Sequence, residues 1–292
     1  MSCPSSDSPI NISTTANVLS CEIFCAYMHQ YKDSACTATY YPDHIKLSYD
    51  ATTSAAVTFN NEGYNVREVN IYAPSIHTYN GSPADAELLI LHDGAGKKLI
   101  VSIPLVQSTN AATSAKILDD IISKFSSTVD KTKTNDSQLI NVQNYNMENF
   151  IPSSPYYFYM GGAPFSPCDG QYNFVVFDKT KSPVTIGSDT LKTLTGLIQP
   201  SGIQAVSRND YYYNSSGPNV KPGAGKDEIY IECNPTGEDG EILYQTPPPT
   251  TMGSETGTAL SMDNLMHNPY LNVMIGVGLS YMALKIVGKI LS

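Results

Sequence analysis

The stretch "REVNIYAPSIHTYNG", residues 67–81, decides how the chain is read. Val69, Ile71 and Ala73 alternate with Asn70, Tyr72 and Pro74, which is the two-residue period of a strand. Asn70 and Tyr72 stand two apart, so their side chains share one face of that strand. The same rhythm recurs at 45–49, 56–60, 68–72, 87–92, 98–104 and 172–177. Each run is short, rich in β-formers and bounded by Gly, Pro, Asn or Asp. Helical spacing is clear only at 111–125, where Ile117, Leu118, Ile121, Ile122 and Phe125 recur at three- and four-residue steps. A second short helix is expected at 188–197, with Ser188 or Asp189 as its cap. A content of 41% hydrophobic residues, with 20 Tyr, 19 Pro and no Trp in 292 residues, fits a folded, mainly β chain and excludes a disordered one. Residues 1–215 read as one domain.

Charge narrows the partners. The formal net charge is −10; two of the 17 basic residues, Lys285 and Lys289, lie beyond Met266 and no acidic residue does, so the body is near −12. Such a body repels nucleic acid, anionic glycans and anionic membrane surfaces. The densest basic run, Lys131 to Lys133, reads as a solvated loop. The opening "MSCPSSDSPINISTT" has neither a basic start nor an apolar run, so no secretory signal is expected. The six cysteines form no CxxC pair, and the expectation is free thiols in a reducing compartment; the alternative is a disulfide from the 21–36 region to Cys168. The sequons at Asn11, Asn80, Asn135 and Asn214 then stay idle.

Composition shifts after Tyr213. Residues 216–245 read as an extension in which "IYIECNPTGEDGEILY" adds a hairpin or edge strand, and 246–264 as a Pro-rich, polar linker. Residues 265–292 read as a membrane anchor. No charge occurs between Met266 and Leu284, and a helix from Pro269 to Leu291, with Lys285 and Lys289 snorkelling, has about 23 residues, enough for a hydrocarbon core of about 30 Å. Asn272, Gly276 and Ser280 form a small, polar stripe suited to helix contact. A helix lying on a membrane, or a buried one, is the lesser alternative. The expected arrangement is a tail anchor with the body on the cytosolic side.

The order of phrases adds a resemblance. "SPINI", "IKLSYDATTSAAVTFNNEGYNV", "PSIHTYNG", "AELLILH", "LIVSIPL", "KILDDI", "NFIPSSPYYFYMGG" and "SPCDGQYNFVVF" follow one another between Ser8 and Tyr213 as their counterparts do in the α-carbonic anhydrase family. The resemblance implies an α+β, mainly β fold: a central twisted, mostly antiparallel sheet of about ten strands with peripheral helices, to which the anchor adds a C-terminal transmembrane helix. The family's chemistry needs three neutral imidazoles on Zn²⁺, which lowers the pKa of its bound water to about 7. The matching positions hold Asn70, Tyr72 and Leu89. Ile76 stands where the family has the glutamate of "SEHT", and Pro164 and Phe165 where it has the threonine pair of "SLTTPPC". The proton-shuttle histidine has no counterpart in "NNEGYNV". Glu87 remains, with no zinc histidine left to orient. His77 and His92 match structural histidines of the family, and Cys168 is expected to be a buried thiol.

These losses imply no metal, no cofactor and no hydratase activity: a pseudoenzyme. The plan is similar to that of a carbonic-anhydrase-like envelope protein of poxviruses, which has lost zinc ligands and carries a C-terminal anchor. The expectation is a minor capsid or membrane-associated virion protein of a large DNA virus. It would bridge an internal membrane and the capsid shell, with other capsid or membrane proteins and the lipid bilayer as partners. The alternative is a virion surface protein for glycan attachment. Tyr40, Tyr41, Tyr156, Tyr157 and 211–213 are candidate interface residues, with core packing as the plainer reading.

Overall fold

The alternation around Asn70 belongs to a strand twice as long as its own run. The computed structural model describes Cys3 and residues 7–13, 18–21, 24–109, 112–181 and 183–220, all within one unit, Met1–Glu228. The strands of its first half are β1 (Ile10–Ile12), β2 (Leu19–Ser20), β3 (Tyr27–His29), β4 (Cys36–Tyr40), β5 (Ile45–Leu47), β6 (Val57–Phe59), β7 (Glu62–Tyr72), β8 (Thr78–Tyr79), β9 (Ser82–Pro83), β10 (Ala86–Gly94) and β11 (Lys98–Ser108). There follow α1 (Thr113–Thr128), β12 (Ser137–Ile140), β13 (Tyr156–Gly162), β14 (Gln171–Phe177), β15 (Val184–Gly187), α2 (Ser188–Leu197), β16 (Val206–Ser207) and β17 (Tyr212–Asn214).

Among the described residues, thirteen strands form one sheet in the order β12-β4-β5-β7-β10-β11-β14-β13-β17-β2, with β3 and β6 attached beside β7 and β15 beside β11. It is mostly antiparallel; β11–β14, β11–β15 and β17–β2 are the parallel pairs. A small sheet, β16-β1-β8-β9, carries the N-terminal segment.

Both faces of the large sheet are buried, and this is what the alternation builds. Val69, Ile71, Leu88, Ile90, Val101 and Phe177 point into one core, together with Ile117, Leu118, Ile121, Ile122 and Phe125 of α1. Each such apolar side chain stabilises by roughly 1.5–3 kcal/mol on full burial. The intervening residues Tyr72, Leu89, Leu91, Ile100, Phe174 and Val176 point into a second core on the other face.

Several boundaries differ from the sequence reading. β7 begins six residues earlier than expected, because Asn60 and Asn61 both take positive φ, 50° and 66°, and turn β6 directly into β7 with Phe59 opposite Glu62. That is the mirror-image two-residue turn that matches the twist of a hairpin. α1 runs to Thr128, because Ser126, Ser127 and Thr128 bond their hydroxyls to carbonyls of the preceding turn. α2 spans the expected residues, but neither Ser188 nor Asp189 caps it: Gly187 is the cap residue, Ser188 is already helical, and its hydroxyl accepts from Gln107 Nε2 at 2.8 Å.

The thiol expectation is overturned for four cysteines. Cys3 pairs with Cys168 and Cys21 with Cys25, while Cys36 stays a buried thiol that burial pushes up to about 12. Cys3 and Asp7 both bond at the end of β13 and the loop after it. Asp7 Oδ1 accepts from Gly162 N at 2.6 Å, and Cys3 N donates to Pro164 O at 3.2 Å. Cys233, most of the expected hairpin extension, the linker at 246–264 and the anchor at 265–292 lie outside the described residues. Among the described residues no helix is long and apolar enough to cross a membrane.

Candidate functional site

The two-residue step on β7 and its pairing with β10 bring together the positions that the resemblance matches to zinc ligands. Leu89 lies opposite Asn70, and Glu87 opposite Tyr72. Asn70, Tyr72 and Leu89 are all buried, and Tyr72, Ile76 and Leu89 belong to the second core. Pro164 is buried in the loop after β13, between Ala163 and Phe165, which pack on that same core.

The donor set does not fit a metal. Asn70 is 3% exposed; its Nδ2 reaches Glu68 Oε1 only at 3.5 Å, and its Oδ1 has no partner. The Tyr72 ring stacks on His44 at 5.1 Å, and His44 stacks on Tyr41 at 4.5 Å. Burial, then the charges of Asp43, Glu87 and Glu68, raise the Tyr72 phenol well above its ordinary value, so it is no phenolate ligand. Leu89 offers no donor. One amide oxygen and one neutral phenol cannot replace three imidazoles. Among the described residues no group of three or more His, Cys, Asp or Glu side chains converges elsewhere.

Glu87 does have something to orient, contrary to the sequence reading. It is fully buried, and its Oε2 accepts from the backbone N–H of Ile76 at 2.7 Å and of His77 at 3.2 Å. Its Oε1 accepts from His77 Nδ1 at 2.5 Å and from the Ser102 hydroxyl. His77 Nε2 in turn meets the Tyr159 hydroxyl at 2.7 Å. Burial raises the Glu87 carboxyl, but the His77 ring and the hydrogen bonds from His77 and Ser102 outweigh it, and the net shift is downward. The carboxylate therefore pins the Ile76–His77 turn to the sheet without any metal. The sequence carries a signal for this: a carboxylate inside the apolar run "AELLILH" must be paired if the strand is buried on both faces.

His92 points away from this network, because it stands five residues from Glu87 on β10 and so on the opposite face, with Leu88 and Ile90. Its Nε2 meets the Tyr31 hydroxyl at 2.9 Å and its Nδ1 the Leu99 carbonyl at 3.3 Å. Burial lowers its pKa to about 3. The tyrosine runs are largely core: Tyr40, Tyr156, Tyr157 and Tyr211 are buried, and Tyr41, Tyr212 and Tyr213 partly so. Lys133 pairs with Asp130 on an exposed turn. A surface cavity of about 400 Å³ beside Lys97, Met160 and Gln171, and one of about 360 Å³ between the starts of α1 and α2, include none of the degenerate positions.

No known family profile and no curated protein matches the sequence. Solved structures do match in fold. Dioscorin, solved as a complex with ascorbate, is 18% identical, with 74% of this chain and 87% of that one covered at a TM-score of 0.58. The α-carbonic anhydrase of Thermovibrio ammonificans, in complex with sulfanilamide, is 16% identical, covering 72% and 87% at 0.57. Carbonic anhydrase Cah3 of Chlamydomonas reinhardtii, with acetazolamide, is 15% identical, covering 70% and 89% at 0.59. The fold is therefore carbonic-anhydrase-like.

Proposed function

We propose that this chain is a zinc-free, non-enzymatic protein that keeps a carbonic-anhydrase-like fold for its shape. The observation that carries the reading is the packing of Tyr72, Ile76 and Leu89 into an apolar core, with Asn70 beside them, where the fold's catalytic metal would sit. In the fuller form of the proposal it is a structural virion protein, a minor capsid or membrane-associated component between an internal membrane and the capsid shell. The segment from Pro269 to Leu291 is its hold on the bilayer, and capsid or membrane proteins are its partners. The acidic body argues against a nucleic-acid role.

A second reading, a surface attachment protein, is favoured by the disulfides Cys3–Cys168 and Cys21–Cys25, which suit a face in contact with an oxidising medium. Two measurements test the proposals. Zinc titration of the full chain should give no stoichiometric binding and no CO₂ hydration; one bound zinc with hydratase activity refutes the pseudoenzyme reading. Cryo-electron microscopy of purified particles separates the two roles. Density between membrane and shell supports the structural one, and density on the outer surface supports attachment.

A further inference from the structure

The segment after β17 is fastened back onto β3 at Tyr27 and His29. Asn214 Oδ1 accepts from Ser216 N at 2.9 Å and Gly217 N at 3.1 Å, and its Nδ2 donates to the Tyr156 hydroxyl at 2.8 Å. Gly217 has φ +76°, and a Cβ there would lie 3.1 Å from Ser153 O, so the turn is fitted closely to the loop before β13. Asn219 then docks. Its N–H donates to Tyr27 O at 2.9 Å, its Oδ1 accepts from His29 N at 2.8 Å, and its Nδ2 donates to His29 Nε2 at 3.2 Å. On its other side His29 Nδ1 donates to Glu148 Oε1 at 3.0 Å, an oxygen that also accepts from Tyr31 N at 2.6 Å.

These bonds close in one protonation state only. Glu148 requires a proton on Nδ1, and Asn219 Nδ2 requires a lone pair on Nε2, so the ring must be neutral. A second proton on Nε2 sets donor against donor. Turning the Asn219 amide over does not help, because its NH₂ then faces the His29 backbone N–H. The His29–Glu148 contact, by contrast, becomes a charge-assisted pair and holds. The other ionisable groups around the ring are Tyr27 and Tyr31, at ring distances of 5.3 and 5.9 Å and joined hydroxyl to hydroxyl at 2.9 Å, and His92 behind Tyr31. β6, which pairs with β3, places Val57 opposite His29 and contributes no ionisable group.

We propose that His29 is a proton-operated latch: protonation breaks one of the three bonds that hold Asn219 on β3 and so loosens residues 214–220. Imidazole is the side chain that changes charge between about pH 5 and 8. The inference is independent of the functional reading above, since it needs neither a virion nor a membrane.

The test is hydrogen–deuterium exchange of the full-length chain at about pH 7.5 and about pH 5.5, after correction for the intrinsic pH dependence. Acidification should raise opening at the Asn219 amide about three- to tenfold, the loss of one net hydrogen bond, while the core strands stay protected. His29→Gln cannot gain a proton and should abolish the pH response. Asn219→Asp, at an exposed position, should invert it, because a carboxylate accepts from both the His29 backbone N–H and a protonated Nε2–H. An unchanged opening in the wild type, an equal response in His29→Gln, or no inversion in Asn219→Asp overturns the latch.

Discussion

Replacing Glu87 by Ala removes the acceptor of four hydrogen bonds at once: those of Ile76 N, His77 N, His77 Nδ1 and the Ser102 hydroxyl. All four donors lie on or beside buried side chains, with Ser102 and His77 at 0% exposure, so water is a poor substitute. Each stranded donor costs about 1–3 kcal/mol, but relaxation and the relief of a buried charge offset part of the total; removing one partner of a buried charged group costs about 3–5 kcal/mol as a whole. We expect about 4 kcal/mol, which for a domain of this size lowers Tm by about 8–16 °C. Glu87→Gln should cost much less, about 1–2 kcal/mol. Its amide oxygen keeps the two backbone N–H bonds. Its NH₂ donates to Ser102 and to His77 Nδ1 once the imidazole moves its proton to Nε2, facing Tyr159. Because the Glu87 carboxyl is lowered on folding, its contribution is present above the unfolded carboxylate value and fades as pH falls; the Gln variant lacks that acid limb. Urea unfolding with and without a chelator measures both variants. A Glu87→Ala protein within about 1 kcal/mol of wild type, or a loss seen only when zinc is present, refutes the view that Glu87 serves the fold and not a metal.

Three further outcomes follow from named residues. His92 has its folded pKa lowered to about 3, so between that value and about 6.5 only the unfolded chain takes up its proton; stability should fall by about 1.4 kcal/mol per pH unit below 6.5, some 2 kcal/mol by pH 5, and His92→Gln should lack this slope in urea midpoints. The Cys3–Cys168 disulfide spans a sequence separation of 165, so Cys168→Ser should destabilise by about 3–5 kcal/mol, and peptide mapping without reductant should recover the linked pair; finding both thiols alkylated in unreduced protein contradicts it. The triple variant Asn70→His, Tyr72→His, Leu89→His should bind zinc and gain Tm on its addition, because the strand register places the three side chains together, yet stay inactive with Ile76 and Pro164 in place; absence of any zinc-dependent Tm shift means that the positions do not converge.

The sheet was legible where one face alternates with the other, and obscure where both faces are equally apolar. Residues 68–72 announced themselves because Asn70 breaks the apolar run. β13 did not, because Tyr156 and Phe158 face one core and Tyr157 and Tyr159 the other, leaving an aromatic run with no period. β7 was read short because "NNEG" looks like a loop, and only the positive φ of two successive asparagines makes it a hairpin turn. The degenerate site was legible residue by residue, since identity alone rules out imidazole. Its replacement network was not: His77 and Glu87 are ten residues apart on different elements, and Tyr159 lies 82 residues from His77. The Cys3–Cys168 disulfide was missed for the same reason, as 165 residues separate its ends, whereas Cys21 and Cys25 are only four apart and lack the CxxC spacing.

On the zinc-free reading proposed above, the pattern of what is lost and what is kept has a physical logic. The positions of the three ligands face an apolar core, where an imidazole without its metal is a buried polar group costing about 1–3 kcal/mol, and Tyr or Leu fills the same space at no such cost. Each of those replacements stabilises the metal-free sheet, Asn70 excepted, whose orphaned Oδ1 marks the one place where the exchange is incomplete. Glu87 is in the opposite position. It sits in the same core, but four donors from two backbone amides and two side chains end on it, so an apolar substitution strands them all and only the isosteric amide can re-pair them. Ligand positions can therefore decay one at a time, while the carboxylate behind them is retained by the fold. A surviving Glu87 is thus no sign of surviving metal chemistry, and the informative residues at such a site are the ones whose partners are gone.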